Sequence, residues 1–319
     1  MNATELAQRI KGAAIECGYA DCGITSTEPF VEFEKGVEQR MELFPDAAHF
    51  YQPMLSRVYP RKSYPWAASI VVCVRDYGKY KAPDELEGRI GRSYQFHRTH
   101  PEGPDYNKTA QFEQKLESFG LRFERAEGGQ LPERWAAARA GVASFGRSNF
   151  VFSEPHGSWI NILPWFVDAE LPPDTPSLEI SCPENCTTCI KACPTGALSA
   201  PFGMRMDRCI AYLTYRGPGP SDGETERQMG EWIYGCDVCQ EVCPRNKGKL
   251  LENEQPYWLE ALLPYLSPSA LANMDLTTYR QKVHPLFWYI DDSPAGLERW
   301  RANAMRSLAN AAGKGGKGE

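Results

Sequence analysis

The sequence predicts an α+β chain in unlike parts, and three observations carry that prediction. Helical and strand-like hydrophobic periods mix through residues 1–172. A Pro-rich joint, "ELPPDTPSLE", follows at residues 170–179. Beyond the joint, eight of the chain's 11 cysteines crowd between positions 182 and 243. With 319 residues the chain exceeds one small core, so more than one domain is expected. These marks divide it into residues 1–175, 176–250, a helical segment 251–312 and a disordered tail 313–319.

Each element follows from its local pattern. Leu6, Ile10, Ala13, Ala14 and Cys17 share one face of a helix over residues 4–17, and Gly18 stops it. "ADCGIT" and "ASIVVCVRDY" (68–77) read as strands, the second mostly buried. Residues 107–119 read as a helix with Phe112, Leu116 and Phe119 inward and Gly120 at its end. "LRFERA" reads as a strand, and "PERWAAARAGV" as a helix with Pro132 at its first position, running into Gly141. "NFVFS" and "SWINILPWFV" flank "EPHG" and read as a hairpin. "YWLEALLPYLS" and "LERWRANAMRSLANA" make residues 251–312 helical.

Composition narrows the class. Hydrophobic residues make up 42% and charged residues 24%, an ordinary globular balance. No apolar run of about 18 residues occurs, so no membrane span is expected. The first residues carry Glu5 and Glu16 and no unbroken apolar stretch, which argues against an export signal and for a cytoplasmic protein. The net charge of -6 argues against nucleic-acid binding by bulk charge. Local basic stretches remain in "RVYPRKSYPW" (57–66), "RIGRSYQFHRTH" (89–100) and "PRNKGK" (244–249). A reducing compartment keeps thiols apart, so the cysteines are core residues or metal ligands. Cys17, Cys22 and Cys73 lie in apolar contexts and read as buried small hydrophobes.

The other eight follow a spacing rule. "CPENCTTCIKACP" is C-x3-C-x2-C-x3-C-P; Cys209 stands alone; "CDVCQEVCP" is C-x2-C-x3-C-P. A bacterial ferredoxin run ends in the same x3-C-P, and its last cysteine serves the other cluster. Three thiolates on a tight loop wrap one cubane, while the fourth lies a helical turn further and points away. Crossed assignment gives two complete sets: Cys182, Cys186, Cys189 with Cys243, and Cys209, Cys236, Cys239 with Cys193. Two features depart from the plain pattern: one extra residue between Cys182 and Cys186, and a long insert between Cys209 and Cys236. Structural zinc also uses C-x2-C pairs but lacks that tail. Two [4Fe-4S] clusters are therefore expected. There is no P-loop, no G-x-G-x-x-G after a strand and no D-x-H-x-x-G.

"CTTCIKACPTGAL", "CIAYLTYRG" and "WIYGCDVCQEVCPRNK" resemble the cluster region of the epoxyqueuosine reductases. "RVYPRKSYPWAASIVV", "GPDYNK", "PERWAAARAG", "FGRSN" and "GSW" are similar to segments of that family in the same order. The resemblance implies a nitroreductase-like, cobalamin-binding domain before the two-cluster domain, an arrangement shared with reductive dehalogenases. It implies base-off cobalamin reduced to Co(I) by electrons from ferredoxin or flavodoxin, and a protein acid that donates a proton. The family's aspartate, counted seven residues back from Arg134, falls on Glu127, and Tyr106 is the second candidate acid. Corrinoid contacts carry over to Arg57, Tyr94, Arg147, Ser148, Asn149, Gly157, Trp159, Ala211 and Tyr212. The implied substrate is epoxyqueuosine in tRNA. The alternatives are another small molecule, as in the dehalogenases, or an electron-transfer or corrinoid-activating protein without catalysis.

Overall fold

The computed structural model describes residues 2–96, 100–126 and 129–315. Its central sheet is antiparallel, in the order β1-β2-β6-β3. β1 is Asp21–Ser26, β2 Ser69–Asp76 and β3 Phe123–Arg125, while β4 (Ser144–Phe145) and β5 (Val151–Phe152) form a separate ribbon and β6 is Ile160–Val167. β7 (Leu198–Ala200) and β8 (Gly203–Met204) make a small hairpin among the cysteines.

β2 is apolar on both faces because both faces are covered. Val71 and Cys73 face the helices Ala3–Glu16 and Lys108–Ser118, in one core with Ile10, Phe112, Leu163 and Trp165. Ile70, Val72 and Val74 face the opposite core with Phe33, Val37, Ala136 and Phe166. Cys22 sits directly across from Cys73 in the β1–β2 register, and Cys17 joins them in the first core. All three are buried, as small hydrophobes should be. Gly23 lets the end of the helix Glu133–Arg139 press onto β1, since a Cβ there would meet the Ala140 carbonyl oxygen at 2.1 Å.

The expected hairpin around "EPHG" takes a different form. β5 pairs with β4, while β6 pairs with β2 and β3; only the isolated bridge Ser153–Gly157 joins the two arms. The reason is burial: Leu163 through Val167 are all buried and fill the sheet between β2 and β3, whereas "NFVFS" has its own short partner.

The segment after the cysteines does not stand alone. Leu259, Leu266, Tyr279, Phe287 and Trp300 close over Tyr77, Tyr80, Ile90, Phe96 and Trp159, which follow or border the sheet strands. Tyr234 stacks on Trp300 at 4.9 Å between ring centroids. The last helix, Pro294–Gly315, runs three residues into the stretch read as a tail. None of the described helices is long and apolar enough to cross a membrane.

A buried charge network holds the loop before the helix Lys108–Ser118. Arg75 Nε lies 2.6 Å from Asp105 Oδ2, Lys108 Nζ lies 2.5 Å from Oδ1, and the Tyr80 hydroxyl donates to Oδ2 at 3.0 Å. Burial opposes ionisation, but Arg75 and Lys108 outweigh it and hold the Asp105 carboxyl down at about 2. Arg75 also donates to Asn161 Oδ1 at 2.6 Å and to the Phe96 carbonyl. This network fixes the backbone on which the neighbouring Tyr106 stands.

Candidate functional site

The eight clustered cysteines are free thiols. Burial raises Cys189, and Cys182, Cys243 and Cys186 raise it further. Cys243 is raised by burial and then by Cys182 and Cys186. In the second set, burial raises Cys209, and Cys193 adds to it. Cys239 is raised by burial, then by Cys209, Asp237 and Cys193, with Cys189 of the first set last. Thiols of the two motifs thus act on one another across the motif boundary. Among the described residues, no three His, Cys, Asp or Glu side chains converge on a single ion.

Backbone N–H groups aim at the sulfurs. The helix Ile210–Tyr215 starts directly after Cys209, so its first N–H groups lack carbonyl partners. Those of Ala211 and Tyr212 oppose the rise that burial causes in the Cys209 thiol. The Leu198 N–H donates to Cys193 Sγ at 3.5 Å. The Arg147 N–H donates to Cys182 Sγ at 3.2 Å. Such donors stabilise thiolate charge and tune a bound cluster's potential. A cluster's needs are therefore met by this chain.

Arg147 has a clear place. Its guanidinium donates to the Pro183 carbonyl at 2.9 Å and the Cys186 carbonyl at 3.0 Å. It braces the Cys182–Cys186 loop, the stretch with the extra residue. Ser148 and Asn149 are buried beside it, and Asn149 sits at φ 67 with Nδ2 buried and without a partner among the described residues. An amide-rich ligand such as a corrinoid would satisfy that orphan donor.

Arg57 sits against the loop that precedes the helix Glu133–Arg139. A Cβ at Gly129 would meet its Nη2 at 2.6 Å. Burial lowers the Arg57 guanidinium below its ordinary range, Glu133 opposes this, and Arg216 adds like charge. Burial also lowers Arg40, with Arg134 as its like-charged neighbour. Arg134 and Arg216 both act on Tyr215, beside Cys209. Arg134 and Arg216 thus act on the 209–217 loop, where Tyr212 meets Phe50 edge to face at 5.5 Å. That basic, aromatic surround fits an anionic, amide-bearing ring compound. Arg216, which ends the helix Ile210–Tyr215 that begins beside Cys209, was not singled out by sequence.

The remaining sequence candidates fall elsewhere. Tyr106 is 46% exposed. Glu127 lies outside the described residues. Tyr94 is wedged among Tyr215, Tyr234 and Tyr289, at centroid distances of 5.8, 5.0 and 5.8 Å. Trp159 is fully buried against Tyr77. For Tyr94, Gly157 and Trp159 the structure supplies a packing role where the sequence suggested a ring contact.

Gly157 belongs to a buried polar seam. Ser158 N–H donates to Asn246 Oδ1 at 2.8 Å, and Asn246 Nδ2 donates back to Ser158 Oγ at 2.8 Å. Gln240 Nε2 reaches Ser158 Oγ at 3.2 Å and the Tyr77 hydroxyl at 3.2 Å. Gln240 and Asn246 flank Cys243, so the second cysteine motif is tied to the strand entering the sheet. Gly157 is at φ 59, and a Cβ there would lie 2.4 Å from Asn246 Oδ1. Gly157→Ala is expected to cost about 3 kcal/mol, from left-handed strain plus the broken seam. Thermal unfolding of the anaerobic, iron-loaded protein measures it; an unchanged midpoint would remove the seam's importance.

Residues 182–246 match the 4Fe-4S double cluster binding domain family. An epoxyqueuosine reductase of Bacillus cereus is 28% identical over 97% of this chain and 82% of its own. The chain is a homologue of the epoxyqueuosine reductases. A solved epoxyqueuosine reductase with an epoxyqueuosine-modified tRNA-Tyr stem loop matches at TM-score 0.75 and 25% identity, over 97% of this chain and 82% of that one. The epoxyqueuosine reductase of Bacillus subtilis, solved with its catalytic aspartate loop swung out of the active site, matches at TM-score 0.74 and 26% identity over the same shares. A reductive dehalogenase described as B12-dependent shares the fold alone, at TM-score 0.50, 13% identity, 94% of this chain and 38% of that one.

Proposed function

We propose that this chain reduces epoxyqueuosine to queuosine in tRNA, using two [4Fe-4S] clusters and base-off cobalamin in a nitroreductase-like domain. One observation carries the reading: thiols of the two cysteine motifs act on one another across the motif boundary, beside a loop on which Arg134 and Arg216 act. When bound, the clusters supply single electrons and the corrinoid supplies a strong reductant for the carbon–oxygen bond.

This chain's own residues do the rest. Cys182, Cys186, Cys189 and Cys243 hold the cluster nearer the surface, where Cys186 bonds the exposed Thr188 hydroxyl at 3.5 Å. Cys193, Cys209, Cys236 and Cys239 hold the deeper one. Ala211 and Tyr212, on the helix that starts after Cys209, present the loop to the ring. Arg57, Arg147, Ser148 and Asn149 orient the corrinoid's polar edge. Glu127 gives a proton to the departing substrate oxygen, and Tyr106 is the second donor. A small acidic electron carrier, ferredoxin or flavodoxin, feeds the outer cluster.

Anaerobic reconstitution with iron, sulfide and cobalamin tests the reading. The expected result is a base-off cobalt signal by electron spin resonance and conversion of epoxyqueuosine in a tRNA stem loop. Two intact clusters with no corrinoid uptake would leave an electron carrier instead. Corrinoid uptake with turnover only of an organohalide would favour the dehalogenase-like reading.

A further inference from the structure

Three basic stretches compete as an RNA-contacting surface, and in two of them cations are engaged by acidic residues. In residues 89–100, Arg89 pairs with Glu231 at 3.3 Å and Arg92 with Glu252 at 2.9 Å, while residues 97–99 lie outside the described chain. In residues 244–249, Arg245 pairs with Glu154 at 3.0 Å and Lys249 Nζ donates to the Glu154 carbonyl at 2.8 Å. Residues 59–66 differ. Arg61 and Lys62 are exposed on the turn Pro60–Ser63, and among the described residues neither pairs with a carboxylate.

Aromatic rings interleave with these cations. Lys62 Nζ lies 4.2 Å from the centre of the Tyr59 ring, and Tyr59 is 36% exposed. The exposed Arg122 guanidinium lies 4.2 Å from the Trp66 ring, and it too has no carboxylate partner among the described residues. Tyr64 stacks on Phe166 of β6 at 4.3 Å, which fixes the strip to the sheet. Three carboxylates border it: Glu34, 3.4 Å from the Tyr59 hydroxyl, Glu124, which acts on Tyr64, and Asp168, whose Oδ1 accepts from the Arg122 backbone N–H at 3.1 Å.

The strip is also at the right place. Tyr64 bonds the side chain of Gln130, and Arg57 packs on Gly129, so both ends brace the loop in whose sequence Glu127 stands. We infer that Tyr59, Arg61, Lys62, Trp66 and Arg122 form a platform for unpaired nucleotides of a substrate RNA loop. Cations held at aromatic rings make flat, charged surfaces that stack on bases of any identity and neutralise the adjoining phosphates. A paired helix hides its bases and gains only the phosphate part. The inference rests on the RNA-directed reading above and names the surface that delivers the target base to the carboxylate loop.

The test uses the full iron- and corrinoid-loaded chain and two fluorescent RNAs: a hairpin with a single-stranded loop, and a fully paired duplex of equal composition. Wild type is expected to prefer the hairpin. Tyr59→Ala and Trp66→Leu are each expected to weaken hairpin binding about 5- to 100-fold, with duplex binding little changed. The combined Arg61→Ala, Lys62→Ala and Arg122→Ala variant is expected to flatten the log–log salt dependence by about 2. Iron content and corrinoid uptake, measured in parallel, report folding, and the exposed Tyr59 position serves if Trp66→Leu does not fold. Hairpin binding by wild type that survives all these substitutions overturns this surface and leaves the proposed reaction intact. A wild type that binds neither RNA overturns the RNA reading itself.

Discussion

Cys193→Ala is expected to lower the iron of the anaerobically purified protein from about eight atoms per chain to about four, and to abolish turnover. Cys193 belongs with Cys209 and Cys239, whose thiols it perturbs across the motif boundary. The double variants decide the wiring. With crossed ligation, Cys193→Ala with Cys236→Ala damages a single cluster, and iron stays near four. Cys189→Ala with Cys193→Ala strikes both clusters, and iron falls towards zero. If each motif instead served its own cluster, the two doubles would exchange outcomes. Iron analysis with electron spin resonance of the reduced protein reads this directly. Turnover falls in every case, because an interrupted chain of clusters delivers no electron to the site.

Glu127→Gln is expected to reduce the turnover rate about 100- to 10,000-fold, the usual worth of a positioned proton donor. Iron content, corrinoid uptake and RNA affinity should stay at wild-type levels. Glutamine keeps the shape and removes the proton, so the loss falls on the chemical step. Glu127→Asp should retain measurable activity, since the relatives' loop carries an aspartate in the catalytic role. A single-turnover rate unchanged in Glu127→Gln would take the residue out of the mechanism and turn attention to Tyr106.

Local signals were legible in the sequence where local physics decides. The apolar run of β2 and the Gly18 and Gly120 helix stops act within a few residues, and the structure bears each of them out. Partnerships across distance were not legible. "NFVFS" and "SWINILPWFV" have hairpin chemistry, yet β6 takes β2 and β3 as neighbours because a sheet centre buries more than a lone ribbon. The helical end of the chain carries no mark that it would close over Tyr77, Tyr80 and Phe96. In the site, thiol spacing marked out the stretch that matches the 4Fe-4S double cluster binding domain family. The "GSW" residues looked like ligand contacts, and the polar chemistry that packs Gly157 against Asn246 became visible only in three dimensions.

The Ser158–Asn246–Gln240 bonds join the stretch around Cys243 to a strand laid down some 80 residues earlier. In the proposed crossed ligation, Cys243 completes a cubane begun by Cys182. That ligation would make assembly of the inorganic cores and zipping of the polypeptide's middle one event in maturation. A newly made chain starved of iron should remain open there, and proteases should find it before any catalytic defect is noticed.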